Sequence, residues 1–122
     1  MDETNKNLTT DCIYLKNGEF YCKYLYSEIY YIVVSGRYCN VFLSPDKTIK
    51  LSLPMTLTDL TEFLPPDIFI RTHRSYIANI NHIERIVGNT IYVGEVVVPI
   101  GREYKKEIYS RLNIAGLPPK QE

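Results

Sequence analysis

The chain alternates short apolar segments with turn-forming residues over most of its length. Segments rich in Ile, Val and Tyr are separated by Gly, Pro, Asn and Asp, a pattern that predicts β-strands joined by tight turns. The Asn17-Gly18 pair predicts a hairpin between residues 13–16 and 20–26. Pro99 indicates that the last strand lies at the edge of its sheet. The other predicted strands cover residues 29–34, 38–43, 48–53, 83–87, 90–93 and 96–98.

Two segments show helical spacing instead. Residues 56–64 carry leucines three and four positions apart, and Thr56 stands where an N-cap is expected. Residues 102–112 carry an apolar stripe at every fourth position, with Glu103 and Arg111 placed favourably for the helix dipole. Gly116 and the pair Pro118-Pro119 are expected to terminate this helix. The sequence therefore predicts a mostly β protein with two short helices.

The segment 69–79 combines strand alternation with a central cluster of cationic residues. In a straight strand, His73 and Arg74 would point to opposite faces, and one of them would be buried if either face were covered. We therefore expect the chain to turn between His73 and Ser75 and to expose both side chains. Such groups suit phosphate and base edges, although a solvated surface hairpin explains them equally well. Arg71 is expected to form a structural pair with Glu62 or Asp67, and Asn79 is expected to satisfy backbone groups within the fold.

The composition is that of one folded domain with a local excess of positive charge. Of 122 residues, 14 are Lys or Arg and 14 are Asp or Glu, so the chain as a whole lacks a basic signature. Residues 1–70 hold six basic against nine acidic residues, however, and residues 71–111 hold seven against four. A neutral protein with this distribution can still present a cationic face. We expect a domain at 12–113 between a flexible N-terminal tail (1–11) and a C-terminal tail (114–122).

The three cysteines and two histidines predict neither disulfides nor a metal site. Cys12, Cys22 and Cys39 form no CxxC pair, and an odd count fits reduced thiols in the cytoplasm. His73 and His82 lack neighbours at metal-ligand spacing. No apolar run approaches the roughly 20 residues of a membrane helix, and the polar residues 1–7 do not have the pattern expected of a signal peptide. We expect a cytoplasmic protein that needs no cofactor.

Four stretches, taken together, resemble a known family. They are Glu28–Ile32 with the 36–38 turn, the leucine helix at 57–64, the segment 69–79 with His82-Ile83, and Pro99–Lys105. In this order they resemble the LytTR DNA-binding domain of AlgR/AgrA/LytR-type bacterial response regulators. The resemblance covers about Ile13 to Leu112. One departure is Gly101, where the family usually has a Ser or Thr helix cap.

The resemblance implies an elongated stack of small antiparallel β-sheets whose loops enter successive major grooves of bent DNA. Carried over position by position, the resemblance implies contacts with DNA from the 36–38 turn, from the turn at 73–75 and from the start of the last helix. The implied DNA-binding residues are Arg37, Tyr38, His73, Arg74, Arg102, Lys105 and Lys106. The arginines would read guanine edges, His73 would hold a phosphate or single acceptor, and the lysines would contact the backbone.

The function implied by the resemblance is sequence-specific regulation of transcription in a two-component system. We expect binding to tandem or paired sites on double-stranded DNA, with a homodimer on DNA and a receiver domain or sensor as further partners. The alternative is a β-rich protein-interaction module that has the fold but does not bind DNA. The neutral net charge favours it, as does the expectation that no receiver domain fits within these 122 residues, whether they are a free-standing module or a fragment of a longer regulator. An enzyme is not expected, because no nucleophile elbow, carboxylate pair or metal-binding cluster is present.

Overall fold

The computed structural model describes residues 11–116, so the predicted tails lie almost entirely outside the described residues. The described part contains ten β-strands and two short α-helices. Their bounds are β1 Cys12–Asn17, β2 Phe20–Leu25, β3 Tyr31–Ser35, β4 Tyr38–Phe42, β5 Lys50–Leu53, α1 Leu57–Thr61, β6 Phe69–His73, β7 Tyr76–Asn79, β8 Ile83–Val87, β9 Thr90–Val93, β10 Val96–Pro99 and α2 Lys105–Arg111. Short 3-10 turns occupy Tyr26–Glu28, Ile80–His82 and Arg102–Tyr104.

The strands form three antiparallel sheets, as predicted. β1 and β2 form a hairpin, β10-β9-β8 form a three-stranded sheet, and β5-β4-β3-β7-β6 form the central five-stranded sheet. The edge position predicted for the last strand is confirmed, because within residues 11–116 β10 pairs only with β9.

The central sheet is covered on both faces by separate hydrophobic clusters. Along β3, Ile32 packs into the cluster shared with the β1–β2 hairpin and α1, whereas Tyr31 packs into the cluster shared with the three-stranded sheet and α2. Residues 29–34 are continuously apolar rather than alternating because successive side chains enter two different cores. The fold is therefore three-layered, with the five-stranded sheet in the middle.

Three local predictions are corrected by the structure. The first hairpin turns at Gly18-Glu19, because Asn17 still pairs with Phe20 and Gly18 takes a positive φ of 70°. This is the turn geometry that places glycine at the first central position. The first helix ends at Thr61, before the last leucine of the predicted 56–64 segment, although the Thr56 cap is confirmed by a 3.0 Å hydrogen bond from the amide of Asp59.

The predicted last helix also divides into two parts. The Tyr104 amide bonds to the Gly101 carbonyl at 2.9 Å, so the first turn is a tight 3-10 turn, and the α-helix begins only at Lys105. It ends at Arg111, and Asn113 then takes a left-handed φ of 54°. Asn is among the few residues that adopt this conformation readily after a helix. Pro118 and Pro119, which were expected to terminate the helix, lie outside the described residues.

Candidate nucleic-acid interface

Two turns that carry predicted DNA-binding residues lie at the same end of the central sheet. β3 and β7 run antiparallel with Val33 opposite Tyr76, and the Val34 amide donates to the Ser75 carbonyl at 3.0 Å. The β3–β4 turn at 36–37 and the β6–β7 turn at 74–75 therefore project from adjacent strand ends. The strand register places the two turns side by side.

The β3–β4 turn exposes both residues that the resemblance selected there. Gly36 has a φ of 62°, which allows the chain to reverse within two residues. Arg37 is exposed, and the Tyr38 side chain is 50% exposed although it is a large aromatic group. Neither side chain makes an ion pair with another residue of the described range. Both are available to an external ligand.

The β6–β7 turn confirms the predicted reversal between His73 and Ser75. The strand register shifts between Arg71 and His73, so Thr72 forms a bulge. The Ser75 amide donates to Nδ1 of His73 at 3.1 Å. Because Nδ1 accepts this bond, a neutral imidazole carries its proton on Nε2. His73 is half-buried rather than exposed as the sequence predicted, so only part of its ring faces solvent. Arg74 is exposed.

Arg71 makes a structural interaction, but its partners differ from those expected. The sequence suggested an ion pair with Glu62 or Asp67. Instead, Nε of Arg71 donates to the His73 carbonyl at 3.0 Å, and Nη2 donates to the Arg74 carbonyl at 2.7 Å. The guanidinium therefore binds the backbone of the turn. The two turn carbonyls accept the N–H groups that a carboxylate was expected to accept.

The start of the last helical segment is attached directly to the β6–β7 hairpin. The Gly101 amide donates to the Thr72 carbonyl at 2.7 Å. A Cβ atom on Gly101 would lie 3.1 Å from Cδ2 of Tyr104 and 3.5 Å from Cδ2 of His73, so the position is tightly packed. The departure from a Ser or Thr cap therefore fits the close packing at this point. Arg102 follows immediately and is exposed.

The two lysines of α2 have different surroundings. Lys106 is exposed, whereas Lys105 is half-buried. Nζ of Lys105 donates to Oδ1 of Asn89 at 3.1 Å and lies 5.8 Å from the centre of the Tyr109 ring. We call residues 36–38, 73–75 and 102–106 the candidate surface. The β8–β9 turn, which contains Asn89, thus borders this surface. No local pattern indicated that Asn89 would contact Lys105, because this contact depends on the packing of the three-stranded sheet against α2.

Positive charge on this surface is not balanced by nearby ion pairs. Within residues 11–116, one acid–base pair lies within salt-bridge distance. In this pair, Nη1 of Arg111 at the C-terminal end of α2 is 3.4 Å from Oε2 of Glu107. The arginines at 37, 74 and 102 therefore have no carboxylate partner among the described residues. Unpaired cations clustered at a sheet end attract a polyanion.

The second histidine, His82, contacts other parts of the fold. His82 stacks on Tyr30 with ring centres 3.9 Å apart, and its Nε2 is 2.7 Å from the Ser27 carbonyl. It therefore packs within the fold. No group of three potential metal ligands occurs among the described residues, and no helix in that range is long and apolar enough to cross a bilayer.

Cys39 is predicted to be chemically inert although it directly follows the exposed Tyr38. Its thiol is fully buried and donates to the Met55 carbonyl at 3.1 Å. Burial raises the pKa of the Cys39 thiol, and the nearby positive charge of Arg71 opposes this only in part. Because the thiolate is the reactive form, iodoacetamide should leave Cys39 unmodified in the folded protein and modify it after denaturation. Peptide mass spectrometry measures this, and Cys22, which is only half-buried, is the internal comparison.

The comparisons with known proteins identify the family. The model of the LytTr DNA-binding domain matches residues 20–113. The chain is 32% identical over 94 residues to the sensory transduction protein LytT of Enterococcus faecalis, covering 72% of this chain and 38% of that protein. It is 43% identical over 65 residues to LytT of Bacillus anthracis, covering 48% and 26% respectively. The chain thus spans well under half the length of these relatives.

A solved structure shows the same fold. It is described as the LytTr DNA-binding domain of a methyl-accepting/DNA response regulator from Bacillus cereus. The match has a TM-score of 0.69 and 24% sequence identity, and it covers 85% of this chain and 98% of the other. The fold and the family model together define a DNA-binding domain. The chain belongs to the LytTR DNA-binding domain family. These comparisons give no support to the alternative of a protein-interaction module.

Proposed function

We propose that this chain reads specific sequences in double-stranded DNA and that its candidate surface enters successive major grooves. The observation that carries this proposal is the convergence of three exposed, cationic segments at one end of the central sheet. Two backbone hydrogen bonds connect them, from Val34 to Ser75 at 3.0 Å and from Gly101 to Thr72 at 2.7 Å. A surface fixed by backbone bonds presents its side chains in a set arrangement, and sequence reading requires such an arrangement.

The proposed roles follow from the chemistry and exposure of each side chain. Arg37, Arg74 and Arg102 are exposed and carry the guanidinium geometry that suits the two acceptors of guanine. The free Nε2 of His73 suits a single phosphate or base acceptor. The half-exposed ring of Tyr38 suits an apolar base edge or, through its hydroxyl, a phosphate.

The lysines are proposed as backbone contacts. Lys106 is exposed and can follow a phosphate freely. Lys105 shares its ammonium group with Asn89, so we assign it a weaker contact that it makes together with the β8–β9 turn. Such contacts raise affinity for all sequences and carry no sequence information.

The wider context is proposed from the relatives. They are sensory transduction proteins longer than this chain, which supports a regulator whose DNA-binding activity is coupled to a receiver or sensor partner. Because one domain offers few base contacts, we propose binding to tandem or paired sites, with a homodimer formed on DNA. We place this activity in the cytoplasm and propose no catalytic step and no cofactor.

The test is the selection of bound duplexes from a random DNA library, followed by titration of the selected sequence at several salt concentrations. We expect enrichment of a defined motif and a steep loss of affinity with salt. Neutralising six phosphates would weaken binding about a thousandfold between roughly 50 and 200 mM salt. A protein that enriches no motif even at low salt would contradict the proposal. If the affinity for DNA did not change with salt concentration, the cationic surface would be excluded as the cause of binding.

A further inference from the structure

The Arg71 guanidinium is placed to control the shape of the β6–β7 turn. It donates to the carbonyls of two consecutive residues, His73 at 3.0 Å and Arg74 at 2.7 Å. The direction of these carbonyls fixes the backbone rotation between them, and that rotation sets where the Arg74 side chain leaves the chain. Few side chains can make both bonds, because they require the rigid, forked donors of arginine.

The same residue contributes charge that no acid in the described range neutralises. Arg71 makes no ion pair with a carboxylate of residues 11–116, and it is only half-buried. Hydrogen bonds to neutral carbonyls leave its full positive charge under the turn. Arg71 therefore combines a geometric effect on Arg74 with an electrostatic effect on any approaching polyanion.

We propose that Arg71 is a positioning residue for sequence reading: it holds the β6–β7 turn so that Arg74 meets one base position, and its unpaired charge adds to the attraction for the DNA backbone. This inference rests on the proposed DNA binding. It requires no contact between Arg71 and a base. A recognition side chain must be held to within about 0.5 Å, and a turn without the two bonds would not achieve this.

Two substitutions separate the geometric role from the electrostatic one. Arg71→Lys keeps the positive charge but cannot make the two-point contact. Arg71→Gln removes the charge as well. Arg111→Lys is the matched control, since it makes the same chemical change at a residue paired with Glu107 on α2, outside the candidate surface. Arg74→Ala identifies the base position that Arg74 reads.

The experiment is library selection with the parent and all four variants, followed by salt titration on the parent motif. We expect Arg71→Lys to relax the same base position as Arg74→Ala, to lower affinity about tenfold and to leave the salt slope unchanged. Arg71→Gln should relax that position too and reduce the slope by about one. Arg111→Lys should keep the motif and the affinity of the parent chain.

The outcomes are distinguishable. If the parent enriches no motif, the proposed function fails, and the role of Arg71 fails with it. If the parent enriches a motif that Arg71→Lys also enriches without relaxation, only the positioning role is overturned. Thermal unfolding of each variant is measured alongside. If both Arg71 variants are unfolded at the assay temperature, the residue supports the whole fold, and the specific role in reading is rejected.

Discussion

Replacing Arg74 and Arg102 together by alanine is expected to abolish the selection of a DNA motif while the protein remains folded. Both side chains are exposed and neither makes an ion pair within the described residues, so their removal should not disturb packing. Each arginine paired with a guanine contributes about 1–3 kcal/mol of discrimination. Their combined loss should weaken binding to the selected motif by roughly thirtyfold to more than ten-thousandfold.

The effects of the two arginines are not expected to add independently. Arg102 follows Gly101, whose amide donates to the Thr72 carbonyl and on which a Cβ atom would lie 3.5 Å from Cδ2 of His73. Residues attached to a common support often show coupling of about 0.5–3 kcal/mol. The two single variants should therefore be titrated with the double variant, so that the coupling is measured directly.

A matched control removes the same charge from elsewhere on the protein. Arg85 lies over the Tyr92 ring at 4.3 Å, and Arg111 pairs with Glu107. Alanine at both positions should lower affinity only modestly and should leave the selected motif unchanged. If this control loses the motif as completely as the Arg74 and Arg102 pair, binding depends on net charge alone, and the proposed reading surface is wrong.

Replacing Asn79 by alanine is expected to cause the largest loss of stability from a single polar substitution. Asn79 is fully buried. Its Nδ2 donates to the carbonyls of Tyr26 at 2.9 Å and Ile29 at 2.8 Å, and its Oδ1 accepts from the Asn81 amide at 2.9 Å. Alanine would leave three backbone groups without these partners. At about 1–3 kcal/mol for a buried group, the free energy of unfolding should fall by about 3 kcal/mol or more.

Denaturant titration of Asn79→Ala measures this loss, and Asn81→Ala is its control. The Asn81 side chain is exposed, and its backbone amide can still donate to Asn79 after substitution. We therefore expect a change within about 0.5 kcal/mol for the control. Equal destabilisation by both substitutions would show that the bonds of Asn79 are not the cause.

The sequence predicted Asn79 as a residue that satisfies backbone groups, but it could not identify the groups. Tyr26 and Ile29 are about fifty positions away along the chain, and only the packing of β7 beside the segment after β2 brings them close. The same limit explains the wrong partners predicted for Arg71. An acidic residue nearby in sequence was the obvious partner, whereas the turn carbonyls became available only once the hairpin had formed.

The local pattern by itself determined the elements of this protein. Strand alternation, turn residues and helical leucine spacing depend on backbone geometry and on neighbours within a few positions, so strands, turns and the Thr56 cap were predictable. The cationic segment 69–79 and its reversal were predictable for the same reason. The resemblance of four ordered motifs was sufficient to indicate the family.

Only the tertiary structure decided how those elements meet. The strand register places the 36–37 and 74–75 turns side by side, and the bond from Gly101 to Thr72 joins Arg102 to them. The tertiary structure also placed Asn89 against Lys105, and the first turn of the predicted last helix became a 3-10 turn. These features depend on contacts between residues far apart in sequence, whose distances are set by sheet pairing and core packing rather than by any local pattern.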